Sequence, residues 1–311
     1  MRFSRRGARL PKILARMAGL RGPLRHDGAC MNLTWPIALA VLFGALLHAS
    51  WNALVKSGAD KALDTALMNL VGGAMALPLV ALLGLPAAAA WPWLLASAAI
   101  HIGYYALLTA AYRHGELALT YPLMRGAAPL VLALLSATAF GEPLPAAGWV
   151  GVLAVSGGVA LLGLSRHGLE SGRAVAFALA NAVVIAAYTI ADARGVRASG
   201  NAGSYVVTLF AINAVPFAAV MTARRGVAAI AQHARRRAPL AALGAAASAG
   251  SYGIALWAMT KAPVASVAAL RETSVLFAAL LGAWQLNERL TPRRALGTAV
   301  ILAGVAALRL G

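Results

Sequence analysis

Ten apolar stretches of membrane-spanning length follow one another along the chain, separated by short polar or basic connections. They run from Leu33 to Val55, Asp64 to Leu85, Trp91 to Arg113, Leu117 to Phe140, Ala146 to Leu164, Arg173 to Ala191, Gly203 to Ala223, Ala238 to Thr260, Val264 to Leu286 and Pro292 to Leu308. The runs are continuous rather than alternating, and each exceeds the ~10 residues a barrel strand needs, so the pattern predicts helices. The expected fold class is an all-α integral membrane protein with ten transmembrane helices. Pro36, Pro92 and Pro292 open helices, whereas Pro78, Pro122, Pro129 and Pro216 fall inside them and predict kinks where protein or water lies alongside.

The fourth stretch breaks the apolar pattern with Arg125. At about 1.5 Å per residue this arginine lies roughly 12 Å in from Leu117, near the middle of a hydrocarbon layer about 30 Å thick. A charge there costs at least about 2.5 kcal/mol on insertion scales, so it should face protein or a watery cavity. The ninth stretch repeats the plan, with Arg271 and Glu272 at the same depth.

Adding 146 carries Arg125 to Arg271, Glu142 to Glu288, Leu144 to Leu290, Gly151 to Gly297 and Gly158 to Gly304 without a gap. Upstream, an offset of 137 brings Trp51, Asn52 and Gly58 onto Tyr188, Thr189 and Gly195. The expected organisation is a first five-helix repeat over residues 31–164 and a second over 165–311. An odd number of crossings inverts one repeat relative to the other, the plan of secondary transporters with a midplane site. The glycine pairs, seven residues apart, predict close packing of the fifth and tenth helices.

Composition agrees with a membrane chain, since 61% of its 311 residues are hydrophobic and only 12% charged. The net charge of +18 lies in loops and one tail, with no polar domain to serve as a nucleic-acid module. Residues 1–30 form a basic N-terminal tail. They are read either as a disordered segment touching anionic headgroups or as a stretch upstream of synthesis beginning at Met31. The single cysteine, Cys30, excludes an intramolecular disulfide and a cysteine-cluster metal site. From Met31 onward, thirteen Lys/Arg flank one side of the predicted spans and four the other, which places the termini outward. Counting the tail raises four to twelve and nearly cancels the preference.

The ten-span layout, the paired ends GEPL (Gly141 to Leu144) and NERL (Asn287 to Leu290), and the glycine-bearing spans after them resemble the EamA-type branch of the drug/metabolite transporter (DMT) superfamily. The strings HASWNALVKSG, AYRHGELALTYPLMRG, YTIADARGVRASG and LRETSVLFAALLG are similar to a bacterial subfamily labelled as membrane proteins associated with phosphonate use. The resemblance implies metabolite movement, often export, by alternating access between two halves. It also implies cytoplasmic termini, which the loop charges from Met31 onward oppose.

The candidate substrate-binding residues are Arg125, Arg271, Glu272, Trp51, Asn52, Tyr105, Tyr121 and Tyr188. Two arginines, one from each half, can hold an anion, with Glu272 balancing one of them or carrying a coupling proton; the competing role is an ion pair that only locks two helices. His48, Trp51, Asn52 and Lys56 share one face of the first helix, as Tyr188 and Asp192 do on the sixth. Lys56 and Asp192 read slightly better as helix-end charges reaching headgroups. Tyr105 and Tyr121 sit deeper than the interfacial Trp91, Trp93 and Trp149. His48 and His101 lack supporting ligands, so no metal and no cofactor is expected. Glu142 and Glu288 read as capping and loop-ordering residues. No GxSxG, HExxH, phosphate-binding or dinucleotide motif occurs, so no enzyme is expected.

The functional expectation is a secondary transporter for a small polar or anionic metabolite in a bacterial inner membrane, with membrane lipids as its other partner. The fused repeats can complete a cavity in a monomer, a homodimer being the other arrangement. The rival is a lipid-handling protein that binds or flips an anionic headgroup, which predicts a lipid-sized apolar groove continuous with the arginines.

Overall fold

The computed structural model describes residues 32–114, 117–163, 172–286 and 292–310, and these are all-helical apart from short connections. The basic tail, Asn287, Glu288 and Leu290 lie outside the described residues. In chain order the helices are α1 (Trp35–Lys56), α2 (Lys61–Leu83), α3 (Trp91–His114), α4 (Leu117–Phe140), α5 (Ala146–Gly163), α6 (Gly172–Ala198), α7 (Ala202–Met259), α8 (Val264–Arg271), α9 (Ser274–Leu286) and α10 (Pro292–Leu310). Among the described residues six helices are long and apolar enough to cross a membrane, and two shorter apolar ones span 146–162 and 295–309.

Local chemistry explains several helix starts. Asp60 caps α2 by accepting from the backbone N–H groups of Ala62 (3.1 Å) and Leu63 (3.0 Å). Asn201 does the same for α7 through Gly203 and Ser204. Pro36 occupies the first turn of α1, where its missing N–H costs nothing.

Two predicted boundaries are corrected. The seventh and eighth stretches are not separated by a loop, because helix continues through the basic linker and is broken only at Gly226 (φ 77°, ψ 155°). Glycine accepts that left-handed φ without the Cβ clash other residues meet. Conversely, the ninth stretch is not one helix. It stops at Arg271 and resumes at Ser274, with i→i+3 bonds from the N–H groups of Glu272 and Thr273 to Ala269 and Leu270 tightening the break. Thr273 also turns its hydroxyl back onto the Leu270 carbonyl (2.7 Å). Such local side-chain bonding offers the backbone an alternative to helix.

The helices pair across the chain: α1 and α2 with α7, α3 and α4 with α6, α4 with α8, and α5 with α10. The α5–α10 contact is backbone against backbone, as the glycine spacing predicts. A Cβ added at Gly151 would lie 2.9 Å from the Gly304 carbonyl oxygen, and one at Gly158 2.9 Å from that of Gly297. Only small residues allow such an approach. Leu39, Leu77, Leu82, Leu134 and Val215 point outward with more than half of their surface exposed, as lipid-facing positions do.

Candidate functional site

Arg125 sits on α4 between Pro122 and Pro129, whose missing N–H groups interrupt the helical ladder on either side of it. It is 7% exposed, and its Nε lies 2.8 Å from Oε2 of Glu272, which is 5% exposed. The two atoms are in ion-pair contact without hydrogen-bond alignment, so both count as buried atoms lacking a hydrogen-bond partner, as does Arg125 Nη2. Glu272 presents its carboxylate from the break between α8 and α9. The break therefore places charge chemistry where the helix stops, the arrangement that discontinuous membrane helices provide.

Arg271, the last residue of α8, holds its guanidinium over the Tyr252 ring, 5.0 Å from the centroid. Its Nε is buried with no hydrogen-bond partner. A cation over an aromatic face gains about 0.5–2 kcal/mol, the more the less water reaches it, but the ring leaves the Nε–H unsatisfied.

Arg125, Tyr188, Thr189, Arg271 and Glu272 wall one pocket between α4, α6 and α8, closed on its apolar side by residues such as Leu132. Only about 20 Å³ of it admits the centre of a water molecule, room for about one water. The structure thus brings together four of the eight predicted residues. Tyr121 lies one turn before Arg125 on α4 but does not line the pocket. Trp51 packs against Leu67, Met68 and Ala241, and Asn52 donates back to the His48 carbonyl (2.7 Å); neither lines the pocket. Tyr105 belongs to an aromatic cluster, edge-on to Tyr104 (4.9 Å) and Phe217 (4.4 Å). Tyr188 connects that cluster to the pocket, since His101 stacks on it at 4.3 Å and Tyr104 meets it edge-on at 5.9 Å.

Asp192 corrects the helix-end assignment. It is wholly buried, accepting from the Tyr205 hydroxyl at 2.8 Å and from the Tyr252 hydroxyl. Lys56, by contrast, is exposed at the end of α1. Tyr252 is the functional candidate that the sequence reading missed. Extending the repeat into the third and eighth stretches would have found it, because an offset of 147 carries Tyr105 onto Tyr252.

The two ends of the bundle are pinned by further charges. At one, Glu142 accepts from Arg197 Nη1 (2.7 Å) and from the backbone N–H of Val264 (3.1 Å), capping α8 from the connection after α4. Arg194, on the same helix as Arg197, donates to the Ala139 carbonyl and lies over the Trp93 ring. At the other, Asp64 on α2 accepts from His233 Nε2 and Arg237 Nε, each at 3.0 Å, while Arg237 Nη2 reaches the Leu54 carbonyl on α1.

Residues 172–310 match the EamA-like transporter family. No curated protein matches the chain. A solved structure, titled only as the crystal structure of a protein, is similar in fold with a TM-score of 0.67 and 21% identity, covering 88% of this chain and 95% of that one. The apolar helices and this match together make the chain a multi-pass membrane protein.

Proposed function

We propose that this chain, whose residues 172–310 match the EamA-like transporter family, moves a small anionic or zwitterionic metabolite across a bacterial inner membrane by alternating access, as an exporter. The observation that carries this reading is the pocket itself: two guanidiniums and one carboxylate share it, while Arg125 Nη2 and Arg271 Nε lack hydrogen-bond partners. Buried donors without partners are costly, and a carboxylate, phosphate or phosphonate group supplies the planar or multidentate acceptor that guanidiniums favour. Glu272 engages Arg125 when the site is empty, and an entering anion competes for that arginine.

The proposed architecture is two inverted five-helix repeats. It is supported by pairings that persist when the repeats are exchanged: α1 with the second arm of α7 mirrors α3 with α6, while α5 meets its own counterpart α10. The pocket is too small for a metabolite, so loading requires α4, α6 and α8 to separate. The ion pairs at Glu142 and Asp64, at opposite ends of the bundle, are the contacts that opening toward either side would strain.

The rival, a lipid-handling protein, requires an apolar groove running into the arginines. A groove of about 330 Å³ does exist between the arms of α7, lined by residues such as Val206, Ile254 and Trp257, but it shares no residue with the arginine pocket. The carrier reading is therefore favoured. The test is uptake and efflux in proteoliposomes with a panel of labelled amino acids, organic acids and phosphonates. Carriage of anionic members abolished by Arg125→Gln supports the reading. Movement of a lipid probe with no carriage of any soluble member overturns it.

A further inference from the structure

The pocket contains one buried carboxylate, Glu272, and a second, Asp192, lies on the far side of Tyr252. They differ in their company. Glu272 touches a guanidinium, and a proton placed on it would strand Arg125 in the protein interior without a counter-charge. Asp192 is 0% exposed and belongs to no ion pair among the described residues. Its oxygens are met by neutral donors on α7: Tyr205 on the first turn and Tyr252 on the second arm. Six residues from the end of α6, it lies about 9 Å inside the helix. A charge at that depth is stable only through its hydrogen bonds, and taking up a proton removes the charge without orphaning a partner.

The group facing Asp192 from α3 is His101, which is near enough to interact electrostatically, with Ser97 beside it. His101 Nδ1 lies 2.8 Å from the Ser97 carbonyl oxygen, an atom that can only accept. That contact is a hydrogen bond in the tautomer that carries its proton on Nδ1. Tyr188 comes from the same helix as Asp192, and Arg271 from α8 stands behind Tyr252. These are the titratable and charged groups that bear on it.

We propose that Asp192, held by Tyr205 and Tyr252 with His101 alongside, is a proton-binding site coupled through Tyr252 to the anion pocket at Arg271. The inference rests on the transporter reading for its coupling, though not for the existence of the site. Tyr252 donates its hydroxyl to Asp192 and offers its ring face to Arg271, so the carboxylate and a bound anion share one positive source. An anion at Arg271 disfavours the ionised Asp192 and draws a proton onto it. By linkage, protonation of Asp192 favours the anion equally. No covalent bond changes: a proton from water adds to a carboxylate oxygen and leaves when the anion departs. Proton and anion then cross together, outward when the anion's own gradient exceeds the opposing proton gradient and inward when an imposed proton gradient dominates, with Glu272 remaining paired or re-paired to Arg125.

The test has two arms. Infrared difference spectra of the purified full chain, taken as pH falls from about 9 to about 5, a window that brackets the usual histidine range and reaches toward that of carboxylates, should show a carboxylic C=O band. The band should vanish in Asp192→Asn, shift in Tyr252→Phe, and persist in Glu272→Gln. Loss of the band in Glu272→Gln, or no such band in wild type, overturns the proposal; should Asp192→Asn not fold, Tyr252→Phe, which keeps the carboxylate, decides by the shift. The second arm is methylphosphonate uptake into proteoliposomes with an inward proton gradient, which should stimulate wild type and leave Asp192→Asn unstimulated. Stimulation surviving in Asp192→Asn overturns the coupling. Wild type that fails to carry methylphosphonate counts against the transport reading and against the coupling that rests on it, while the infrared arm still decides whether Asp192 binds the proton.

Discussion

Arg271 lies face-on to Tyr252, with its guanidinium carbon 5.0 Å from the ring centroid, and the hydroxyl of the same tyrosine donates to Asp192. One aromatic side chain thus connects a cation at the helix break to a carboxylate on α6. Beside it runs the direct contact of Arg125 with Glu272. Three buried charged residues, Arg125, Glu272 and Asp192, and the half-buried Arg271 are therefore held in two different ways, one pair by contact and one through a ring. Tyr252→Phe keeps the ring under Arg271 but removes the hydroxyl from Asp192, and the lost charged hydrogen bond should cost about 1.5–3 kcal/mol. Thermal melting in detergent measures it, and an unchanged midpoint would contradict the hydrogen bond.

Removing one member of the contact pair leaves the other charge buried alone. Arg125→Gln and Glu272→Gln should each destabilise the fold by about 3–5 kcal/mol, and the double variant should cost less than the sum of the two. Detergent melts of all three variants measure this. Strictly additive losses would mean that the 2.8 Å contact contributes no coupling.

Neighbouring glycines on α5 should respond oppositely. A Cβ at Gly158 meets the backbone of α10, with the Gly297 carbonyl oxygen 2.9 Å away, whereas one at Gly157 meets nothing within 4 Å. Gly158→Ala should cost about 1–3 kcal/mol by forcing α5 from α10. Gly157→Ala should be neutral or gain up to about 1 kcal/mol from helix propensity. Melting midpoints of the two variants decide it.

Much of this was legible in the sequence, for physical reasons. Apolar length marks membrane helices because lipid satisfies no backbone group, so each stretch had to be helical. The glycine spacing predicted the α5–α10 contact because only a missing Cβ permits that approach. Arg125, Arg271 and Glu272 stood out because charge is rare at such depth. What the sequence hid were features set by tertiary partners. The break at Glu272 coincides with the Thr273 hydroxyl bond to Leu270 and the contact with Arg125, and no proline or glycine announces it. Trp51 and Asn52 share a face with His48, yet Trp51 is taken up by packing on Leu67, Met68 and Ala241 and Asn52 by the His48 carbonyl, and neither lines the pocket. Asp192 looked like a helix-end charge until Tyr205 and Tyr252, distant in sequence, closed over it.

The ends of the bundle should open separately. Glu142→Gln weakens both the Arg197 contact and the cap on Val264, at a cost of about 2 kcal/mol. Asp64→Asn releases His233 and Arg237 at the opposite end. With single cysteines introduced beside each latch in a Cys30→Ser background, labelling by a membrane-impermeant reagent should rise near 142 in the first variant and near 64 in the second. Labelling that rises at both ends in both variants would contradict independent latches.

The most direct test of the anion pocket compares exchange of an anionic substrate with that of its uncharged amide in proteoliposomes, using wild type and Arg271→Gln of equal yield and melting behaviour. Truncating one side of a buried charge pair costs about 2–5 kcal/mol, so exchange of the anion should fall by at least about tenfold in the variant. The uncharged amide should pass poorly in both. If well-folded Arg271→Gln exchanges the anion as wild type does, the arginines only lock the helices together, and the pocket does not bind the metabolite.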